Sequence, residues 1–249
     1  MELELAGKRA LVIGASRGLG AAIARELSVE GAHVAGVSRS ISGGAEWPML
    51  ACDLGATDAA ETIAEFARNE LGGVDILVNN SGGPPPSSAL DTGAQQLLDA
   101  ARPMLFTLIE LTRLVLPAMR EAGFGRILTI TSSGVRGPIP GLAMSNTIRA
   151  ALHGWMKTLA KEVAADGVTV NLLMPGQIDT DRLRSLHQLT AERLGIAPET
   201  MTAKAAEAIP TGRFGDPREF AAVAAFLASP RASYVTGLEI PIDGGLLRS

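Results

Sequence analysis

The chain has 249 residues, 47% of them hydrophobic and 19% charged, with a formal net charge of −4. That apolar content suffices for a substantial core, and weakly acidic, interspersed charge argues against nucleic acid or an anionic membrane as partner. The single Cys52 excludes an internal disulfide. Placed just after a short apolar run, it reads as a small buried residue before it reads as a nucleophile.

The first element is an apolar strand, Lys8-Arg9-Ala10-Leu11-Val12-Ile13, followed by Gly14-Ala15-Ser16-Arg17-Gly18-Leu19-Gly20. Leu19, Ile23 and Leu27 recur every four residues, which predicts a helix with one face against a sheet. The glycines make a tight turn and allow close backbone approach, and the helix start offers N–H groups and a positive dipole end to a pyrophosphate. The spacing is Gly-x3-Gly-x-Gly, unlike the commoner dinucleotide fingerprint, and glycines also serve ordinary turns. Its position between a strand and a helix, with a second strand at His33–Val37, favours a dinucleotide.

Met49–Ala51 predicts the next strand, then a helix from about 56 to 71 ending at Gly72-Gly73, a C-cap signal. A strand over 75–79 follows. Helices are predicted over about 102–121 and 145–165, flanking a strand at 126–131. The last strands are expected at 168–173 and near 238–242. Repeated strand–helix units imply a doubly wound parallel sheet with helices on both faces, in one domain spanning 1–249. Ligands then sit beyond the carboxyl ends of the strands, where Gly14, Asp53, Asn79, Ser132 and Pro175 all fall. The helices at 102–121 and 145–165 are apolar nearly all round, which predicts cover from a second subunit, in a dimer or tetramer, or from extra loops. No apolar run is long enough to span a bilayer and no leader pattern precedes the first strand, so a cytoplasmic protein is expected.

These residues resemble the short-chain dehydrogenase/reductase family over the whole chain, nearest the group related to 3-oxoacyl-acyl-carrier-protein reductases. Gly14, Ser16, Arg17, Gly18, Leu19 and Gly20 match the cofactor turn, and Asp53-Leu54 the pair that meets adenine. Asn79-Asn80-Ser81-Gly82 is similar to the segment that steadies the sheet and lines the cofactor. Pro175-Gly176 with Ile178 and Thr180 resembles the stretch at the nicotinamide. Tyr234-Val235-Thr236-Gly237 and Asp243-Gly244-Gly245 resemble the C-terminal signature. The resemblance implies a Rossmann-type fold binding NAD(P) and acting on a carbonyl or alcohol.

The family's catalytic tetrad is altered. Ser132 matches the serine that holds the substrate oxygen. The positions of the tyrosine, lysine and asparagine fall on Ser145, Arg149 and Met104. An aliphatic hydroxyl is a far poorer acid than a phenol, and Arg149 stays charged while keeping donors for ribose or a developing alkoxide. Ser145 and Arg149, four apart, face the site together. Candidate replacements for the acid are His153, His187, Ser133, Arg136, or a water held by Ser132 and Ser145. Tyr234, the only tyrosine, belongs to the C-terminal motif.

Ser38-Arg39-Ser40 follows the second strand without an acidic residue, and Arg17 adds a second cation. Both features predict NADP(H) over NAD(H), unless the arginines are merely solvated. Residues 180–212 mix charges with scattered apolar positions and break at Pro198, the pattern of a loosely docked substrate lid. Pro84-Pro85-Pro86 predicts a stiff segment on the other side of the site. Three functions stay open: a reductase or dehydrogenase with a modified site, a cofactor-binding sensor or partner subunit without turnover, and a lyase or hydratase on the same fold. No metal site is predicted.

Overall fold

The computed structural model describes residues 2–41 and 46–247. Seven strands, β1 (Arg9–Ile13), β2 (His33–Ser38), β3 (Met49–Ala51), β4 (Ile76–Asn79), β5 (Gly125–Ile130), β6 (Val168–Pro175) and β7 (Glu239–Ile242), form one sheet ordered β3-β2-β1-β4-β5-β6-β7. Every pairing is parallel. The order reverses between β1 and β4, so a crevice opens above their carboxyl ends, where doubly wound sheets bind ligands. The Rossmann-type reading of the sequence is therefore correct.

Helices α1 (Gly18–Val29), α2 (Ala59–Leu71), α3 (Ala94–Ala101), α4 (Thr107–Glu121), α5 (Ala143–Val163), α6 (Asp181–Leu194), α7 (Pro198–Glu207) and α8 (Pro217–Ala228) complete the chain. On one face Ile23 and Leu27 of α1 pack with Phe220, Ala221 and Ala224 of α8 over Ala10, Val12 and Val78. On the other, Ile63, Leu111, Val115, Leu152 and Met156 from α2, α4 and α5 cover Leu11, Leu77, Ile127 and Val170. Burying both faces explains why the central strands read as continuous apolar runs.

Two boundaries differ from the sequence expectation. The helix expected from about 102 begins instead with α3 at Ala94, where the Gln96 side chain accepts from the Gly93 N–H. Its polar Gln95, Gln96 and Asp99 hid it. Between α3 and α4, Arg102–Phe106 form a π-helical turn, which no side-chain period announces. The helix expected from 56 starts at Ala59, because Ala56 is held in a turn with Asp53.

Residues 180–212 form the helices α6 and α7, with Pro198 opening the second. Ala191, Ala205 and Ile209 anchor them inside, while Leu189 and Leu194 stay exposed. The C-terminal segment braces this region: Thr211 N–H donates to Gly244 O at 3.3 Å. Asn171 in β6 holds the same segment by donating to Val235 O and accepting from Leu238 N–H.

Candidate active site

The turn after β1 is built on glycine for two reasons. Gly14 has φ +71°, and its amide and that of Ala15 both donate to Val37 O, pinning the chain end to β2. Gly20 faces Gly14 so closely that a Cβ there would lie 2.7 Å from the Gly14 carbonyl carbon and 2.8 Å from Asn80 Nδ2. Gly18, at φ +59°, starts α1. Arg17 occupies the N-cap in extended conformation and gives no side-chain cap. Without that cap, the first N–H groups of α1 remain available to a phosphate. Ser16 and Arg17 are exposed beside them, and Leu19 packs inward.

The next strand ends shape the β3 side of the crevice. Thr107 donates to Leu54 O at 2.8 Å, and Arg102 donates to Thr57 O at 2.7 Å, so the π turn and α4 hold the loop after β3. Asp53 is exposed and accepts from Gly55 N–H with one carboxylate oxygen. Cys52 beside it is half-buried, and burial raises its thiol pKa, as suits an unreactive residue. Ser38 is buried and donates to Ser40 O at 2.7 Å, so it shapes the loop that presents exposed Arg39. Neither Arg17 nor Arg39 has an ion-pair partner among the described residues.

Asn79 is buried and donates to Thr112 at 3.1 Å, tying β4 to α4. Asn80 leans on Gly14 and Gly20, Ser81 is buried, and Gly82 is exposed at the cleft. Across it, Gly176 N–H donates to Ile242 O, where a Cβ would meet the Asp243 backbone at 2.5 Å. Pro175 ends β6, Ile178 is buried, and Thr180 caps α6 by accepting from Leu183 N–H. The Thr180 Cγ2 lies 3.7 Å from a Cβ built on Gly18, so the turn and the start of α6 meet over one crevice.

The Ser132 Oγ accepts from Gly134 N–H at 3.1 Å, which leaves its own proton for another acceptor. Gly134 also faces Asn146, the neighbour of Ser145, and Asn146 donates to Ile139 O. The loop after β5 is thus seated on the first turn of α5. Arg149 donates from Nη1 to Ile130 O at 2.7 Å. Burial, and secondarily the charge of Arg182, lowers its pKa to about 10. It stays a cation at neutral pH. Met104 is buried with Ala101, Met144 and Ile148 in a small apolar cluster.

Three of the candidate proton donors, His187, Arg136 and His153, have other partners. His187 is not solvated: it is buried, 3.1 Å from Gln177 and stacked near Phe214, and burial lowers its pKa. Arg136 pairs with Glu239 at 3.0 Å. His153 Nε2 lies 3.6 Å from the other oxygen of Glu239, and both atoms are buried without a hydrogen-bond partner. Ser133 opens a short 3-10 turn, its carbonyl accepting from Arg136 N–H. Tyr234 sits beside the start of β6, where Gly237 N–H donates to Val170 O, at the end of the sheet remote from Ser132. Sequence reasoning missed Arg182 and Gln177, while Pro84, expected only as part of a stiff segment, accepts from Arg182. The run 179–184 has two aspartates and two arginines and so gave no signal; only the fold shows both aspartates on Arg184.

The family model described as enoyl-(acyl carrier protein) reductase matches residues 14–247. The chain is 37% identical to the 3-oxoacyl-[acyl-carrier-protein] reductase FabG of Vibrio cholerae over 98% of this chain and 99% of that one. Identity to the Escherichia coli FabG is also 37%, over 96% and 97%. Among solved structures, L-sorbose reductase from Gluconobacter frateurii, complexed with NADPH and L-sorbose, superposes with TM-score 0.92 at 29% identity over the full length of both chains. YwfH, an NADPH-dependent reductase involved in bacilysin biosynthesis, gives TM-score 0.90 at 29% identity, over 97% of this chain and 99% of that one. With the cofactor turn, the switch-point crevice and these likenesses together, the chain belongs to the short-chain dehydrogenase/reductase family of oxidoreductases.

Proposed function

We propose that the protein is an NADP(H)-dependent oxidoreductase acting on a carbonyl or alcohol substrate through a modified site. The observation that carries this reading is the complete cradle at the β1–α1 turn, in which Gly14, Gly18 and Gly20 fit a pyrophosphate against an uncapped helix. Arg17 and Arg39, exposed and without ion pairs among the described residues, suit a 2′-phosphate. Bound there, the dinucleotide supplies a hydride to a carbonyl carbon, or accepts one from an alcohol.

The chain's own residues then handle the oxygen. Ser132, already accepting from Gly134, donates its proton as a hydrogen bond to the carbonyl oxygen. Arg149, fixed to Ile130 O by one N–H, offers its remaining donors to ribose hydroxyls and to negative charge developing on that oxygen. The oxygen takes its proton from a water held by Ser132 and Ser145, since Met104 gives no polar route. The segment 180–212 acts as the lid. Phe106 and Leu114 are exposed on the α4 side, with Leu105, Ile109 and Leu116 half-buried, and this face pairs subunits. Size-exclusion chromatography with light scattering checks that pairing.

The test begins with a fluorescence titration by NADPH and NADH. NADPH is expected to bind more tightly, and Arg39→Ala to erase the difference. Slow NADPH oxidation with ketones is expected to vanish in Ser132→Ala. Binding of neither dinucleotide overturns the reading, whereas tight NADPH binding without turnover on a broad ketone panel supports a sensor instead.

A further inference from the structure

The first turn of α6 holds two arginines with different surroundings. Arg184 is neutralised by Asp179 and Asp181, as Arg213 is by Glu219 and Arg218 by Asp216. Arg182 instead reaches across the crevice and donates from Nη2 to Pro84 O at 3.2 Å. A Cβ on Gly83 would lie 3.1 Å from the same nitrogen. Arg149 donates to Ile130 O. Ile130 ends β5, and Pro84 lies in the segment that follows β4, the strand paired with it. Among the described residues no carboxylate lies within 4.0 Å of either guanidinium.

Each of these cations is thus hydrogen-bonded, among the described residues, only to a neutral carbonyl. Arg182 is near enough to disfavour the charged form of Arg149. Like charges beside a low-dielectric wall are costly unless an anion joins them. The pyrophosphate has its own place at the start of α1, on the β1 side. The planar guanidinium fork matches a carboxylate in two parallel hydrogen bonds.

We propose that Arg182, on the first turn of α6, binds a carboxylate of the substrate, so that the protein acts on oxo or hydroxy acids, with the reacting carbon held beside Ser132. This rests on the reductase reading for the role of Ser132, but the anion site stands on Arg182 and its place over the Gly83-Pro84 segment alone. Binding the carboxylate draws Arg182 from Pro84 O to the ligand, so the first turn of the lid is fastened by the substrate itself.

The test titrates the NADPH-saturated protein calorimetrically with acetoacetate, pyruvate and 2-oxobutyrate, each against its neutral methyl ester. The acids are expected to bind at least tenfold more tightly than the esters. Arg182→Met is expected to bring that ratio within twofold while leaving NADPH affinity unchanged, and Arg182→Lys to retain part of it, with circular dichroism confirming the fold of each. Equal binding of acids and esters, or no binding of any acid, overturns the proposal. So does a tenfold loss of NADPH affinity in Arg182→Met, which assigns Arg182 to the cofactor's phosphates. If the protein binds no NADPH, the reductase reading fails, and the same acid and ester titrations on the cofactor-free protein decide the carboxylate site separately.

Discussion

Replacing Gly20 by alanine tests the cofactor cradle at its narrowest point. The added Cβ would overlap the Gly14 carbonyl oxygen and lie 2.7 Å from its carbon, where ordinary contact begins near 3.4 Å. Gly14 cannot yield easily, because φ +71° and the bonds from its own and the Ala15 amide to Val37 O fix it to β2. The start of α1 must therefore retreat, and with it the amides that would hold a pyrophosphate. Overpacking of this kind costs about 1–3 kcal/mol. In a chain of this size that lowers Tm by roughly 2–12 °C, at about 2–4 °C per kcal/mol. NADPH affinity should fall at least tenfold, read by fluorescence titration beside a differential scanning measurement. Gly137→Ala is the control, since a Cβ there meets nothing within 4 Å. If Gly20→Ala matched wild type in both Tm and NADPH affinity, the cradle geometry argued above would be wrong.

Rebuilding the tetrad with Ser145→Tyr, Arg149→Lys and Met104→Asn should raise ketone turnover by about 10² or more, the usual worth of a general acid. A fall in kcat would mean a site shaped for other chemistry. Arg126 is buried, has its pKa lowered by burial, and donates to the carbonyls of Ser229, Gly125 and Gly167. Arg126→Ala strands these acceptors and should cost about 3 kcal/mol or more by urea denaturation, with NADPH affinity unchanged because β5 begins at the far end from the site. Burial alone would raise the Asp75 pKa, but hydrogen bonds from the Arg9 side chain and backbone outweigh it and hold the group below its ordinary value. A carboxylate depressed in the folded state stabilises above its unfolded pKa of about 3.9, and that contribution is lost as pH falls through the lower folded value. Asp75→Asn should therefore flatten the decline in Tm between pH 5 and 3, which a pH series of thermal melts would show.

The parts legible in sequence were those fixed by local rules. The apolar run Ala10–Ile13 could only be a buried strand, and Gly14 and Gly20 are required by conformation and contact within a few residues of each other. Ser132, Ser145 and Arg149 were assigned through the family resemblance, and the structure sets the loop after β5 on the first turn of α5. What stayed hidden depends on distant partners. Arg182 meets Pro84 across 98 positions, and nothing around either residue announces the other. Arg136 and His153 looked available for catalysis until Glu239, more than 80 positions later, was seen between them. His187 has a polar neighbourhood in sequence, yet Phe214 and Gln177 enclose it.

The π turn at Arg102–Phe106 makes α3 and α4 one rod with a single residue too many for a straight α-helix. Each α-helical residue advances the side chains by about 100°. The surplus residue works as a phase adjuster. It sets Ala101 and Met104 against Met144 and Ile148, while Thr107, Leu108 and Leu111 beyond it keep their own heading toward Leu54 and the sheet. Removing one residue between 102 and 106 would leave a regular helix of good hydrogen bonds whose two halves no longer agreed on which way is in. The apolar cluster around Met104 and the loop after β3 are therefore indexed to each other by the count of residues in this one turn.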